Sequence, residues 1–286
     1  MVIDAHNHVY WYGYGPDELV ANMDEHGIDV TWLLSWELAE GMYDHGYDKS
    51  FMAPYIGMPL EAIWVAVDKY PDRFVPGFAP NPKLPHAVEK LRAAYRNGAR
   101  VAGEFKFRCL FDDPDAIAVY RAAGELGMPV TLHLDVPWLP PAGASKPVTW
   151  WYGGTIENLR NALRLCPDTV FLGHAPGFWR EVSGDADQDP AAYPNGPVVP
   201  GGRLIPTFDE FPNLWADLSA GSALTAISRD REWGRKFLMD YYDRIVFARD
   251  YFDGRLMEYL NSLELPENVR SAILSENALR LAPLDR

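Results

Sequence analysis

Eight short apolar runs, rich in β-branched residues and separated by segments of helical spacing, set the tightest limit on what this chain can fold into. They are Val2–His8, Thr31–Ser35, Phe74–Ala79, Ala99–Phe107, Val130–Leu134, Val170–Gly173, Leu214–Leu218 and Ile245–Ala248. Between them, apolar residues recur at i, i+3, i+4 and i+7 over Pro16–His26, Leu60–Lys69, Ala87–Tyr95, Ile117–Leu126, Thr155–Leu165, Trp233–Tyr242 and Pro266–Leu281. Gly98 and Gly127 follow two of these segments, as glycines follow helix C-termini. A crossover helix returns the chain to start the next strand in the same direction, so the alternation predicts a parallel sheet. Eight units predict an α/β (β/α)8 TIM barrel, and 286 residues is the size of one such barrel, so a single domain is expected over 1–286. An open doubly wound sheet shows the same alternation but carries a Gly-rich phosphate turn after its first strand. Here that strand runs into His6-Asn7-His8, and neither GxGxxG nor a GxxxxGKS or GxxxxGKT loop occurs.

Three connections leaving strands are long, at about 37–59, 135–154 and 175–212. In a barrel these lie at the C-terminal face, where active sites are built. Two are aromatic-rich, with Met42, Tyr43, Tyr47, Phe51, Met52 and Tyr55 in the first and Trp138, Trp150, Trp151 and Tyr152 in the second. They suit a cap over a pocket, ordinary loop packing or a subunit contact, which leaves a homodimer as an open expectation. Ser183–Gly202 is polar and rich in Asp, Pro and Gly, and reads as a mobile insertion.

Charge narrows the partners. Lys plus Arg number 26 against 40 Asp plus Glu, and the net charge of −14 repels phosphate backbones and anionic lipid, so no nucleic-acid or membrane partner is expected. No segment approaches ~18 consecutive apolar residues, and the first residues have neither a basic nor a sustained apolar stretch. Cys109 and Cys166 form no CxxC pair or disulfide framework, which fits a reducing cytoplasm.

The chemistry-bearing residues cluster at strand ends. His6 and His8 stand two apart, and the strand period of two puts both imidazoles on one face, where they can chelate a divalent ion. Asp4 precedes them on the same face, where a role behind the ligands or at the strand base is expected rather than ligation. His133 ends the fifth run, His174 the sixth, and Asp250 follows the eighth. A barrel points all these ends into one bowl, so five residues distant in sequence are expected to converge. Glu104 and Lys106 share a face at the end of the fourth run. Arg108 and Arg249 are candidates for gripping a substrate carboxylate by a bidentate fork, or for structural ion pairs. His26, His45 and His86 fall in helical or loop contexts, with surface or capping roles expected.

This pattern resembles the amidohydrolase superfamily. It is most similar to the amidohydrolase-related branch that includes aminocarboxymuconate-semialdehyde decarboxylase. The resemblance covers nearly the whole chain, since SENALRLAPL is similar to the Asn-Ala-x-Arg-Leu closing helix of that branch. It implies a metal-dependent barrel in which His6, His8, His133 and Asp250 hold the ion. Asp250 and His174 would be catalytic; alternatively Glu104 bridges two ions, with His133 and His174 on the second. One departure is Ala248-Arg249-Asp250 where the family commonly has Gly-Thr-Asp or Gly-Ser-Asp.

Imidazole and carboxylate donors suit zinc first, with manganese, iron or nickel compatible. A divalent ion lowers the pKa of bound water from ~16 to roughly 7. Asp250 can take that water's proton, and His174 can stabilise an oxyanion. The expectation is hydrolysis of an amide, lactone or ester carbonyl of a small molecule. The alternative is non-oxidative decarboxylation of an aromatic or unsaturated acid, which requires a cation in the pocket for the substrate carboxylate.

Overall fold

A computed structural model describes residues 1–37, 57–135, 152–189 and 191–284. All eight expected strands form: β1 Ile3–Asn7, β2 Val30–Leu33, β3 Phe74–Pro76, β4 Ala102–Phe105, β5 Val130–His133, β6 Phe171–His174, β7 Leu214–Asp217 and β8 Ile245–Val246. Every ladder among these eight is parallel, β1 to β2 to β3 and then β4 through β8, each strand beside its sequence neighbour, and a separate short antiparallel pair joins Trp36–Glu37 to Gly57–Met58. The two seams are closed by backbone bonds. Arg100 N donates to Pro76 O and Phe78 N to Val101 O, both at 2.9 Å, while Ala5 N donates to Phe247 O at 2.9 Å. The sheet is thus a ring, the (β/α)8 barrel that the alternation predicts.

Strands buried on both faces explain why the runs are continuously apolar rather than alternating. Ile3, Trp32, Val75, Leu172, Trp215 and Val246, from six different strands, belong to one buried cluster, which only the interior of the ring allows. A second and larger cluster, including Leu33, Leu91, Phe105, Leu132 and Phe171, lies between strands and helices. The closing helix ends at Leu281, and its Ala278 and Ala282 pack on the interior cluster. Asn277 donates through Nδ2 to Ile245 O at 2.7 Å and Tyr242 O at 2.6 Å, tying that helix to the start of β8.

Local chemistry sets the helix ends. The first helix, Pro16–Glu25, begins with a proline and places Asp17 and Glu18 in its first turn. Asp113 caps Pro114–Glu125 by accepting from Asp115 N. Gly127 takes φ +69° as the chain turns into β5.

Within 183–202, Gly184 N donates to Val199 O at 2.8 Å, and Arg203, just beyond, forks between Glu181 and Asp187. One expectation changes. Strand β1 carries a register shift between Asp4 and Asn7, and Asn7 Nδ2 reaches Asp4 Oδ2 at 3.2 Å. In a regular strand residues three apart face opposite ways; the irregularity turns Asp4 away from the face of His6 and His8. The aromatic residues at 38–56 and 136–151, His45 among them, lie outside the described residues.

Candidate metal centre

The bowl gathers its side chains from six strand ends. His6 and His8 leave β1, Glu104 leaves β4, His133 β5, His174 β6 and Asp217 β7, while Asp250 follows β8. His6, His8, Glu104, His174 and Asp217 are each 2% exposed or less, and His133 is also buried.

Four atoms face one another. His6 Nε2 lies 3.9 Å from Glu104 Oε2 and 3.8 Å from Asp250 Oδ1; His8 Nε2 lies 3.5 Å from Glu104 Oε2 and 3.3 Å from Asp250 Oδ1. Ligand atoms bound at ~2.1 Å in a tetrahedron are separated by roughly 3.4 Å, so these spacings fit a single divalent ion. His6 Nε2 and Glu104 Oε2 are buried without a hydrogen-bond partner, a costly state that a cation between them removes.

The remaining nitrogens are held from behind. His6 Nδ1 donates to Asp217 Oδ2 at 2.6 Å, and His8 Nδ1 to Leu34 O at 2.8 Å, leaving both Nε2 atoms aimed into the bowl. Asp250 sits at φ +54°, uncommon for a residue with a side chain, and its N–H is anchored on His6 O at 2.8 Å.

His133 lies across Glu104 from His6 and His8. Its Nδ1 contacts the other oxygen of Glu104, Oε1, at 2.5 Å. His174 Nε2 lies 3.6 Å from that same oxygen and 3.9 Å from Asp250 Oδ2. Glu104, His133 and His174 form a second group of possible ligand atoms beside that of His6, His8 and Asp250.

Concentrated negative charge governs the titrations. Burial opposes charge on His6, but Asp217, Asp250 and Glu104 outweigh it and raise its pKa to about 9. Burial pushes His174 the other way, helped by repulsion from His6, to about 3. Burial also works against ionised Asp250, yet His6, His8 and His174 hold it down at about 2. Glu104 is likewise held well below the carboxylate range against its burial, by Lys106, His133 and His6. The metal-free bowl therefore takes up a proton where a cation would sit.

Lys106 lies beside this group, Nζ 3.9 Å from Glu104 Oε1, with the rings of Trp36 and Tyr152 at 5.5 and 6.0 Å. Trp11 and Trp36 pack edge-on to His8, and Tyr152 edge-on to His133, forming an aromatic wall. Arg249 does not enter the bowl. Its Nε and backbone N both donate to Asp4 at 2.8 Å, and its Nη1 donates to Asn22 at 2.9 Å, so the residue that departs from the family pattern locks β8 to β1 and the first helix. Arg108 is half-buried. His26 and His86 sit at helix ends, as expected. Cys109 and Cys166 are free and buried, and burial pushes the Cys109 thiol up to about 12.

Sequence reasoning passed over Asp217 and Ser219. Asp217 ends the seventh strand just as His133 and His174 end theirs, and its place near the end of the run Leu214–Leu218 was the available signal. Ser219 Oγ lies 2.7 Å from His174 Nδ1.

The family model described as Amidohydrolase matches residues 3–284. No curated protein matches the sequence. An uncharacterised TIM-barrel protein from Bordetella bronchiseptica is similar in structure, with TM-score 0.65, 16% identity and 98% and 97% of the two chains covered. So is a probable 2-pyrone-4,6-dicarboxylic acid hydrolase from Acinetobacter baumannii, with TM-score 0.62, 13% identity and 98% of each chain covered. A 2,6-dihydroxybenzoate decarboxylase from Rhizobium follows with TM-score 0.57, 18% identity and 98% of each chain.

Proposed function

Since the chain belongs to the amidohydrolase family and is an enzyme of it, we propose that it is a metal-dependent hydrolase acting on an amide, lactone or ester carbonyl of a small molecule. The observation that carries the reading is the pair of unpartnered buried atoms, His6 Nε2 and Glu104 Oε2, facing each other beside His8 and Asp250. His6, His8, Glu104 and Asp250 would hold one divalent ion, zinc first and manganese, iron or nickel as alternatives. When bound, that ion supplies Lewis acidity toward water and the substrate carbonyl.

The chain's own residues supply the rest. Asp250 is ionised, with Oδ1 toward His8 and Oδ2 toward His174, so its carboxylate can accept a proton from an attacking water and pass it to the leaving group. His174 stays neutral and presents Nε2 to the place where negative charge develops on the carbonyl oxygen. Trp11, Trp36 and Tyr152 line the approach and limit water.

Decarboxylation is the second reading, and Lys106 is the observation that favours it: a buried ammonium in the bowl offers a carboxylate its counter-ion. Hydrolysis ranks first because Arg249, one of the two expected carboxylate forks, is engaged by Asp4 and Asn22.

Elemental analysis of purified protein beside the His6→Ala plus His8→Ala variant tests the metal. The expected result is about one ion per chain in the parent and loss from the variant; equal content in both overturns the reading. Product analysis on small lactones and aromatic acids, with carbon dioxide trapped, separates the reactions.

A further inference from the structure

We propose that Ser219 fixes the tautomer of His174, keeping its proton on Nε2 so that His174 donates a hydrogen bond into the bowl and does not ligate a second ion. The inference deepens the reading of the bowl as a metal-dependent site and rests on it.

Ser219 is fully buried and stands at the N-cap of the helix Ala220–Ser228. A serine there normally accepts from the backbone of the first turn, yet this side chain makes no capping bond. Its Oγ lies 2.7 Å from His174 Nδ1, with His6 Nδ1 next at 3.5 Å. A hydroxyl has one proton to give. His6 Nδ1 cannot receive it, because that nitrogen donates its own proton to Asp217 Oδ2 at 2.6 Å. The acceptor is therefore His174 Nδ1, and a neutral imidazole with a bare Nδ1 carries its proton on Nε2.

The anionic oxygens lie on both sides of the ring but more on one: His174 Nε2 faces Glu104 Oε1 at 3.6 Å and Asp250 Oδ2 at 3.9 Å, whereas Nδ1 faces Asp217 Oδ1 at 3.8 Å, an oxygen that already accepts from Ser219 N. In the second group of possible ligands Glu104 Oε1 and His133 Nδ1 are 2.5 Å apart, closer than the roughly 3.0–3.4 Å of two atoms on one ion at ~2.1 Å, so these two atoms would have to part to share an ion. Ser219 N also donates to Asp217 Oδ1 at 2.7 Å. One carboxylate thus orients His6 directly and His174 through Ser219, which makes Ser219 a positioning residue.

The test is long-range proton–nitrogen correlation NMR on imidazole-labelled full-length protein, metal-free and zinc-loaded, with His174 assigned from the His174→Asn spectrum. The expected result is a bare-type Nδ1 and a protonated-type Nε2 in both states, with one zinc bound per chain. In Ser219→Ala the two nitrogen shifts should move toward each other as the tautomers mix, and Ser219→Thr should restore the split. A proton on Nδ1 in the parent protein overturns the proposal, as does a second zinc that strips the Nε2 proton, or a Ser219→Ala spectrum unchanged from the parent. The parent spectrum decides even if a variant does not fold. Absence of any zinc binding would defeat the metal reading while the metal-free tautomer is still read out.

Discussion

Replacing Asp217 by Asn tests the electrostatics of the bowl. In the parent, the Asp217 contact at 2.6 Å leads the attractions that lift His6 to about 9 against the cost of burial. Glu104 and Asp250 are already ionised at neutral pH, so the proton that an entering ion displaces is the one on His6. With a pKa of about 9, neutral His6 makes up about 1 in 100 molecules at pH 7 and about half at pH 9, so apparent metal affinity should climb roughly 50-fold between them. Asparagine removes the leading attraction and His6 becomes less basic, so that slope should flatten, to nearly nothing if His6 returns to its ordinary 6.5, although Asp250 and Glu104 still act on it. Loss of the carboxylate behind a ligating imidazole separately weakens the metal bond by about 10- to 100-fold.

At pH 7 the two effects oppose each other. In the limit of an ordinary His6 the variant should bind about as well as the parent, or up to about tenfold better, and at pH 9 about 5- to 50-fold worse. The assay is competition for zinc against a chromophoric chelator at fixed free metal, with circular dichroism confirming the fold. Parallel lines for the two proteins, or no slope in the parent, would refute the reasoning.

Two other outcomes follow from the same contacts. Asp4→Ala strands the buried Arg249 guanidinium and should cost about 3–5 kcal/mol in denaturant unfolding; a loss under about 1 kcal/mol would show that the pair contributes little. Because folding raises His6 from 6.5 to about 9, metal-free protein should hold that contribution fully below pH 6.5 and lose about 3 kcal/mol as pH rises through about 9, a slope that zinc should abolish in thermal melts.

How much of this was legible in the chain depends on which signal each residue leaves. His6 and His8 are legible less from their spacing, which chance also produces, than from its place at the end of the first apolar run. His133, His174 and Asp250 become visible once the eight runs are counted, since position in the repeat rather than local sequence marks them. Asp217 has the same position but no distinctive neighbour, and a lone Asp after a strand reads equally as a turn. The helix Ala220–Ser228 is made of small and apolar residues and is buried at Ser222, Ala223, Ala226 and Ile227, so it shows little of the amphipathic stripe that betrays a helix. Arg249 was ambiguous because a fork for a substrate and a fork for Asp4 require the same guanidinium.

What sequence periodicity misses is where the period breaks. A regular strand advances ~3.3 Å per residue, so alternate side chains leave it ~6.6 Å apart and parallel. Two Nε2 atoms sharing one ion at ~2.1 Å lie within ~4.2 Å of each other, so the imidazoles must converge. The two ladders that carry candidate ligands at their centre, β1 and β4, both shift register where those ligands sit, between Asp4 and Asn7 and between Ala102 and Phe105. The first shift separates the outward contacts of Asp4 and Asn7 from the inward pair His6 and His8; the second delivers Glu104 opposite them. The β5–β6 ladder pairs His133 with His174 in unbroken register, and those two histidines lie on the far oxygen of Glu104. The shifts thus accompany three of the four residues proposed to hold the ion, His6, His8 and Glu104, whereas Asp250 follows β8, whose ladder to β7 is unbroken, and its carboxylate is brought in by the φ +54° turn.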